Sequence, residues 1–155
     1  MNKLIILITA LSIIYSCHSP SSYDKVKSFY ESKKTGNFSK FKFLVVINEG
    51  GSCLNCNNIF SKTISSSISN SDILFIVSGS GTKVDISDYT DKSYSNVIWD
   101  FENSFQNFNL TKKCAIFRLK NKILQEKTEI NPDNVLNIKY EDIKLGTFKK
   151  ITANP

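Results

Sequence analysis

Histidine, arginine, proline and glycine are all scarce in this sequence. The 155 residues include three prolines and six glycines, which excludes collagen-like chains and disordered chains rich in these two residues. His18 is the only histidine and lies in a short polar segment. Because a structural zinc site typically uses four ligands, we expect no resident metal or other cofactor.

The charge of the chain gives a second exclusion. Its net charge is +6, but Arg118 is the only arginine among 20 basic residues, and the lysines never occur in runs longer than two. Arginine is the usual residue for bidentate contacts with bases and phosphates. We therefore expect no nucleic-acid partner and interpret the lysine excess as composition bias.

Length and hydropathy favour one globular domain preceded by a targeting segment. The 41% hydrophobic content is enough for a single core. Residues 4–15 are uncharged and follow Lys3. As a helix they would span about 18 Å, short of the roughly 30 Å hydrocarbon core of a bilayer. A secretory signal is therefore favoured over a transmembrane helix.

The end of this segment, Ile14-Tyr15-Ser16-Cys17, resembles the lipobox of bacterial lipoproteins. The resemblance implies that Cys17 is lipid-modified and becomes the first residue of the mature chain. It also implies a cell-envelope protein, anchored to a bacterial membrane by its lipid and facing the extracytoplasmic side, where disulfides persist. The alternative is a plain signal peptide with an incidental cysteine.

Apolar patterning in the rest of the chain predicts alternating helices and strands. Spaced apolar residues predict helices, and continuous apolar runs predict buried strands. A turn at Lys120-Asn121 predicts a hairpin between the last two strands. The predicted elements are a helix over 23–34, a strand over 41–47, a helix from 53 or 54 to 67, a strand over 72–78, a helix over 93–108, strands over 114–119 and 122–130, and a weak helix over 131–140.

This order predicts an α/β protein with a mixed sheet flanked by helices. Cys53-Leu54-Asn55-Cys56 directly follows the first apolar strand and begins a helix. With the hairpin around residues 115–123, this motif resembles the thioredoxin fold, particularly the membrane-anchored thiol-disulfide proteins of the TlpA/ResA type. The resemblance covers residues 41 to about 137.

A helix N-terminus favours the thiolate that disulfide exchange requires. Cys53 is therefore the predicted attacking sulfur and Cys56 the predicted resolving sulfur. The resemblance implies exported thiols or disulfides as partners, with a membrane electron donor. The chain departs from the family at Ser52, where an aromatic residue is usual, and at Ile47, where thioredoxins bury an acid. The family also places a cis-proline just before the third strand, and the matching stretch, Thr111-Lys112-Lys113-Cys114, has no proline.

Cys114 is the fourth cysteine. In the fold that the resemblance implies, the start of the third strand lies beside the Cys-x-x-Cys motif, which would place Cys114 near Cys53. Such a thiol could trap a mixed disulfide or complete a three-sulfur metal site, including one for copper(I). Alternatively, Cys114 is a buried residue that behaves as a small hydrophobe.

Two functions remain open from the sequence. One is thiol-disulfide exchange through Cys53 and Cys56; the other is a non-catalytic, protein-binding lipoprotein with a structural disulfide. The predicted organisation is a signal peptide over 1–16, a lipid-anchored tether and short helix over 17–40, a thioredoxin-like domain over 41–143, and a basic tail over 144–155.

Overall fold

The computed structural model describes residues 19–50, 53–79, 85–89 and 94–139. The predicted signal peptide, the lipobox cysteine Cys17 and the basic tail lie outside these residues. In chain order, the helices and strands are α1 (Ser22–Lys33), β1 (Phe43–Asn48), α2 (Leu54–Ser65), β2 (Ile73–Ser78), β3 (Val97–Asp100), β4 (Ala115–Lys120) and β5 (Ile123–Glu129). None of the helices in the described residues is long and apolar enough to cross a membrane.

The five strands form one mixed sheet in the order β3-β2-β1-β4-β5. Strands β1, β2 and β3 are parallel, whereas β4 is antiparallel to β1 and β5 is antiparallel to β4. Strand β1 is therefore central, and its carboxyl end lies at the same edge of the sheet as those of β2 and β3. The predicted α/β fold with a mixed sheet is confirmed.

Strands β1 and β2 are buried on both faces, as their continuous apolar sequences predict. Alternate residues of β1 enter different clusters: Val45 and Ile47 pack on one face of the sheet, and Leu44 and Val46 on the other. The first cluster includes the apolar side of α2, and the second includes that of α1. The two helices thus cover opposite faces of the sheet.

Helix α1 begins where the sequence predicts a short amphipathic helix. Ser21 and Asp24 form a reciprocal capping box, in which each side chain accepts a hydrogen bond from the backbone of the other. Val26, Phe29 and Tyr30 are buried against the sheet. The regularly spaced apolar residues of this segment therefore form the face of α1 that packs against the sheet.

The predicted helix over 93–108 is wrong. The segment forms the edge strand β3, followed by a 3-10 helix at Ser104–Phe108. The first residues of β3, Val97-Ile98-Trp99, are of the β-branched and aromatic types that suit a strand. Asn103, between the two elements, adopts a left-handed conformation (φ 54°), so the segment does not form one continuous helix. Phe101 is 61% exposed and stacks on Trp99.

The end of the described chain also differs from prediction. The hairpin between β4 and β5 forms as expected, but its turn lies at Asn121-Lys122, one residue later than predicted. Both turn residues have positive φ, as a type I′ turn requires. The weak helix predicted over 131–140 is only a 3-10 turn at Val135–Asn137. The side chain of Asn131 accepts hydrogen bonds from two backbone amides there, but the turn does not propagate.

Candidate functional site

A Cys-x-x-Cys disulfide lies at the junction of β1 and α2. A bond joins Cys53 to Cys56, whose Cα atoms are 5.2 Å apart. Strand β1 ends at Asn48, and α2 begins at Leu54, immediately after Cys53. The central strand therefore delivers the motif to the carboxyl edge of the sheet.

The two sulfurs occupy different environments. Cys53 is the N-cap of α2, and its Sγ accepts a hydrogen bond from the backbone N–H of Cys56 at 3.2 Å. Cys53 is partly exposed, whereas Cys56 is 4% exposed and belongs to the apolar cluster beneath α2. Leu54, between them, is 50% exposed. An incoming sulfur would therefore meet Cys53 before Cys56.

Cys114 is a free cysteine that is completely buried. It belongs to the same apolar cluster as Cys56, and Cys53 packs against that cluster. Its Sγ lies 3.3 Å from the amide nitrogen of Asn48, which donates to it, and 3.6 Å from the carbonyl oxygen of Asn48. Burial raises the pKa of this thiol to about 12, although the Asn48 hydrogen bond acts to lower it. These features describe a protonated, enclosed thiol.

The backbone of Asn48 joins Cys114 to helix α2. Asn57 is 2% exposed, and its side-chain Nδ2 donates to the carbonyl oxygen of Asn48 at 3.0 Å. The Asn48 side chain in turn accepts from the amide of Gly50 at 2.9 Å. No sequence motif pointed to Asn48 or Asn57. One feature of the sequence could have identified Asn57. It is a polar residue at helical spacing from Phe60 and Ile64, and therefore lies on the buried side of α2.

An acidic side chain also packs at this edge of the sheet. Glu49 is buried, and its backbone N–H donates to the carbonyl of Ser78 at the end of β2. Its carboxyl group lies directly against Gly79, where an added Cβ would collide with it. Gly79 also has a φ of 140°, which strains other residues. Gly79 therefore leaves room for the Glu49 side chain at this edge of the sheet.

Across the described ranges, no group of three or more histidine, cysteine, aspartate or glutamate side chains could hold a metal ion. Three sequence-predicted site residues, Cys53, Cys56 and Cys114, come together in one region of the structure. The fourth, Cys17, lies outside the described residues. The participation of Cys114 in exchange stays a prediction.

The burial of Cys114 predicts selective alkylation. We expect iodoacetamide at pH 8 to modify Cys53 readily in the reduced, folded protein, and to modify Cys114 far more slowly than an ordinary thiol. The reason is that a pKa of about 12 leaves almost no thiolate at this pH, against an ordinary value of about 8.5. Peptide mapping by mass spectrometry measures this difference. Equal rates at Cys53 and Cys114 in the folded protein would contradict it.

Comparisons with protein-family models, curated proteins and solved structures gave no match. The class of protein is therefore defined by the structure. It is a small α/β protein with a five-stranded mixed sheet and a Cys-x-x-Cys disulfide at the start of a helix. This arrangement is compatible with a thioredoxin-like fold.

Proposed function

We propose that this protein carries out thiol-disulfide exchange through Cys53 and Cys56. The observation that carries the proposal is the disulfide at the N-terminus of α2, with Cys53 partly exposed and Cys56 buried behind it. A helix N-terminus supplies unpaired N–H groups and partial positive charge, which stabilise a thiolate. The N–H of Cys56 already donates to the Cys53 sulfur.

In the reducing direction, the Cys53 thiolate attacks one sulfur of a partner disulfide. A mixed disulfide forms, and the partner's other sulfur leaves as a thiolate that takes a proton from solvent. Cys56, as a thiolate, then attacks the Cys53 sulfur, which forms the Cys53–Cys56 disulfide and releases the second partner thiolate. Two electrons pass to the partner, and a thiol or dithiol donor restores the reduced pair. The oxidising direction reverses these steps.

The proposed partners are exported proteins with accessible thiols or disulfides, and the proposed electron donor is at the membrane. The support is the chain's own sequence, in which an apolar segment ends in a lipobox-like Cys17. Lipid on this cysteine would hold the protein at the extracytoplasmic face of a bacterial membrane.

Reduction of insulin by dithiothreitol tests the exchange activity. We expect the mature protein to accelerate the appearance of insulin B-chain turbidity. A rate equal to that of dithiothreitol alone, with a Cys53–Cys56 disulfide that stays oxidised, would contradict exchange and favour the structural-disulfide alternative.

Substitution of Cys17 tests the anchor. We expect Cys17→Ala to abolish incorporation of labelled palmitate into the protein expressed in a bacterium, because the acyl chain has no attachment site. A Ser16→Ala variant, which keeps a small residue before the cysteine, is the matched control and should still be labelled. Equal labelling of Cys17→Ala would overturn the assignment of this cysteine.

A further inference from the structure

The carbonyl oxygen of Asn48 is a junction between three separate parts of the chain. It accepts from the amide of Asn57 on α2, and the Cys114 thiol lies within sulfur hydrogen-bonding distance of it. The amide N–H of Asn48 donates to the same Cys114 sulfur. Antiparallel pairing of β1 with β4, with Val46 opposite Ala115, brings Cys114 to this position. The last residue of the central strand is thereby fixed from two sides.

Asn57 also connects this junction to the attacking cysteine. Its backbone N–H donates to the carbonyl oxygen of Cys53 at 3.0 Å, while its side chain holds Asn48. A single residue therefore joins the end of β1 to the first turn of α2. Loss of the side-chain amide removes the bond to Asn48 and leaves the backbone bond to Cys53, and because Asn57 is nearly fully buried, water does not readily replace the lost bond.

We propose that Asn57 is a positioning residue that sets the redox equilibrium of the Cys53–Cys56 pair by fixing the first turn of α2 against the end of β1. This inference rests on the proposed exchange function and extends it to a residue that touches no substrate. In the oxidised protein, the disulfide itself closes the first turn of α2 covalently. In the reduced protein that restraint is absent, so the position of the turn against β1 relies on the bond from the Asn57 side chain to Asn48.

The direction of the effect follows from this asymmetry. Loss of the Asn57 amide loosens the first turn mainly in the reduced state, where the Cys56 N–H and the helix N-terminus stabilise the Cys53 thiolate. The reduced state then becomes less favourable relative to the disulfide. A less stable reduced state means a more reducing couple.

Equilibration with glutathione tests the proposal. Two glutathione thiols give two electrons and two protons to the Cys53–Cys56 disulfide, which becomes two thiols, and the glutathiones join as one disulfide. We expect Asn57→Ala to shift this equilibrium toward the protein disulfide about three- to fivefold, the size of a helix-terminus interaction. At about 30 mV per tenfold change, the shift is about 14 to 21 mV.

Asn58→Ala is the matched control. Asn58 is the next residue of α2, and its side chain accepts from the amide of Asp85 rather than binding β1. We expect its equilibrium to equal that of the wild type. A shift as large in Asn58→Ala as in Asn57→Ala would show that any loosening of α2 has this effect, and would overturn the assignment to Asn57.

Two further measurements keep the test decisive. Asn57→Leu preserves the approximate shape of the side chain without its amide donor, and should shift the equilibrium in the same direction if Asn57→Ala does not fold. Backbone hydrogen exchange at residues 56–58 should accelerate in the reduced Asn57 variant and not in its oxidised form.

Glutathione equilibria in the Asn57 variants that equal that of the wild type would overturn the proposal, even when insulin is reduced normally. Absence of insulin reduction leaves the glutathione measurement valid and counts only against the proposed function.

Discussion

Replacement of Cys53 by serine should reduce insulin turnover to the rate of dithiothreitol alone. The hydroxyl that replaces the thiol cannot form the mixed disulfide, and the other cysteine of the motif, Cys56, is 4% exposed beneath α2. The loss should be complete rather than partial because no second exposed sulfur is available in the described part of the chain: Cys114 is enclosed and its thiol has a pKa of about 12.

The Cys56→Ser variant separates the two sulfurs and serves as the control for Cys53→Ser. It keeps the attacking thiol but lacks the resolving one, so it should form a mixed disulfide with a partner and then stall. Non-reducing electrophoresis and mass spectrometry should find the partner joined to Cys53. Stable mixed disulfides in Cys53→Ser, with none in Cys56→Ser, would reverse the assigned roles.

Replacement of Asp100 by alanine should cost about 2–4 kcal/mol of unfolding free energy at pH 7, the largest stability effect that we predict. The Asp100 carboxylate is buried at the end of β3 and accepts hydrogen bonds from the backbone amides of Ser104 and Phe105 and from the hydroxyls of Ser104 and Ser78. The alanine variant leaves the amides of Ser104 and Phe105 and the Ser104 hydroxyl without this acceptor, whereas the Ser78 hydroxyl can still donate to Asn103. Urea denaturation measures the loss.

The effect should depend on pH. Burial acts to raise the pKa of Asp100, but the hydrogen bonds from Ser104, Phe105 and Ser78 outweigh it, and the pKa lies below its ordinary value. A lowered pKa in the folded state contributes stability that is present above the unfolded-state pKa of about 3.9 and is lost as pH falls through the folded-state pKa. The difference in unfolding free energy between the wild type and Asp100→Ala should therefore become smaller as the pH falls.

The control for Asp100→Ala is Asp133→Ala, which removes an equal charge from an exposed position. Its unfolding free energy should change by less than about 0.5 kcal/mol. Equal losses in the two variants, or a gap for Asp100→Ala that stays constant from pH 7 to pH 3, would contradict the role given to the buried carboxylate.

Local sequence signals predicted the elements that carry the disulfide. The residues of β1 from Phe43 to Ile47 are all apolar, and a short run of this kind favours a strand with both faces covered. The Cys-x-x-Cys motif follows that strand, so its position at the start of α2 could be inferred without coordinates. The β4–β5 hairpin could also be predicted from local sequence, because its two strands are adjacent in the chain and are joined by a short turn.

The error at residues 93–108 arose because two short elements together imitated one helix. Ile98 and Phe105 are both buried at spacings that fit a helical face, yet Ile98 belongs to β3 and Phe105 to a 3-10 helix. Asp100 accepts hydrogen bonds from the backbone at the start of that 3-10 helix, and this contact decides where the strand ends. A periodicity of apolar residues carries no information about such a contact.

The junction at Asn48 could not be predicted for a different reason. It depends on the register between β1 and β4, strands separated by more than sixty residues, which places Cys114 against the Asn48 backbone. The same long-range pairing encloses Cys114 in the interior. Sequence spacing identified the cysteines, whereas their chemical differences depend on tertiary contacts.

The midpoint potential of the Cys53–Cys56 couple tests the central proposal most directly. The mature protein, equilibrated in glutathione buffers and alkylated for mass spectrometry, should show both forms interconverting, with a potential between about −300 and −120 mV, the range of exchange-active couples. A disulfide that stays intact in excess reduced glutathione, with a potential below about −300 mV, would identify it as structural and contradict thiol-disulfide exchange.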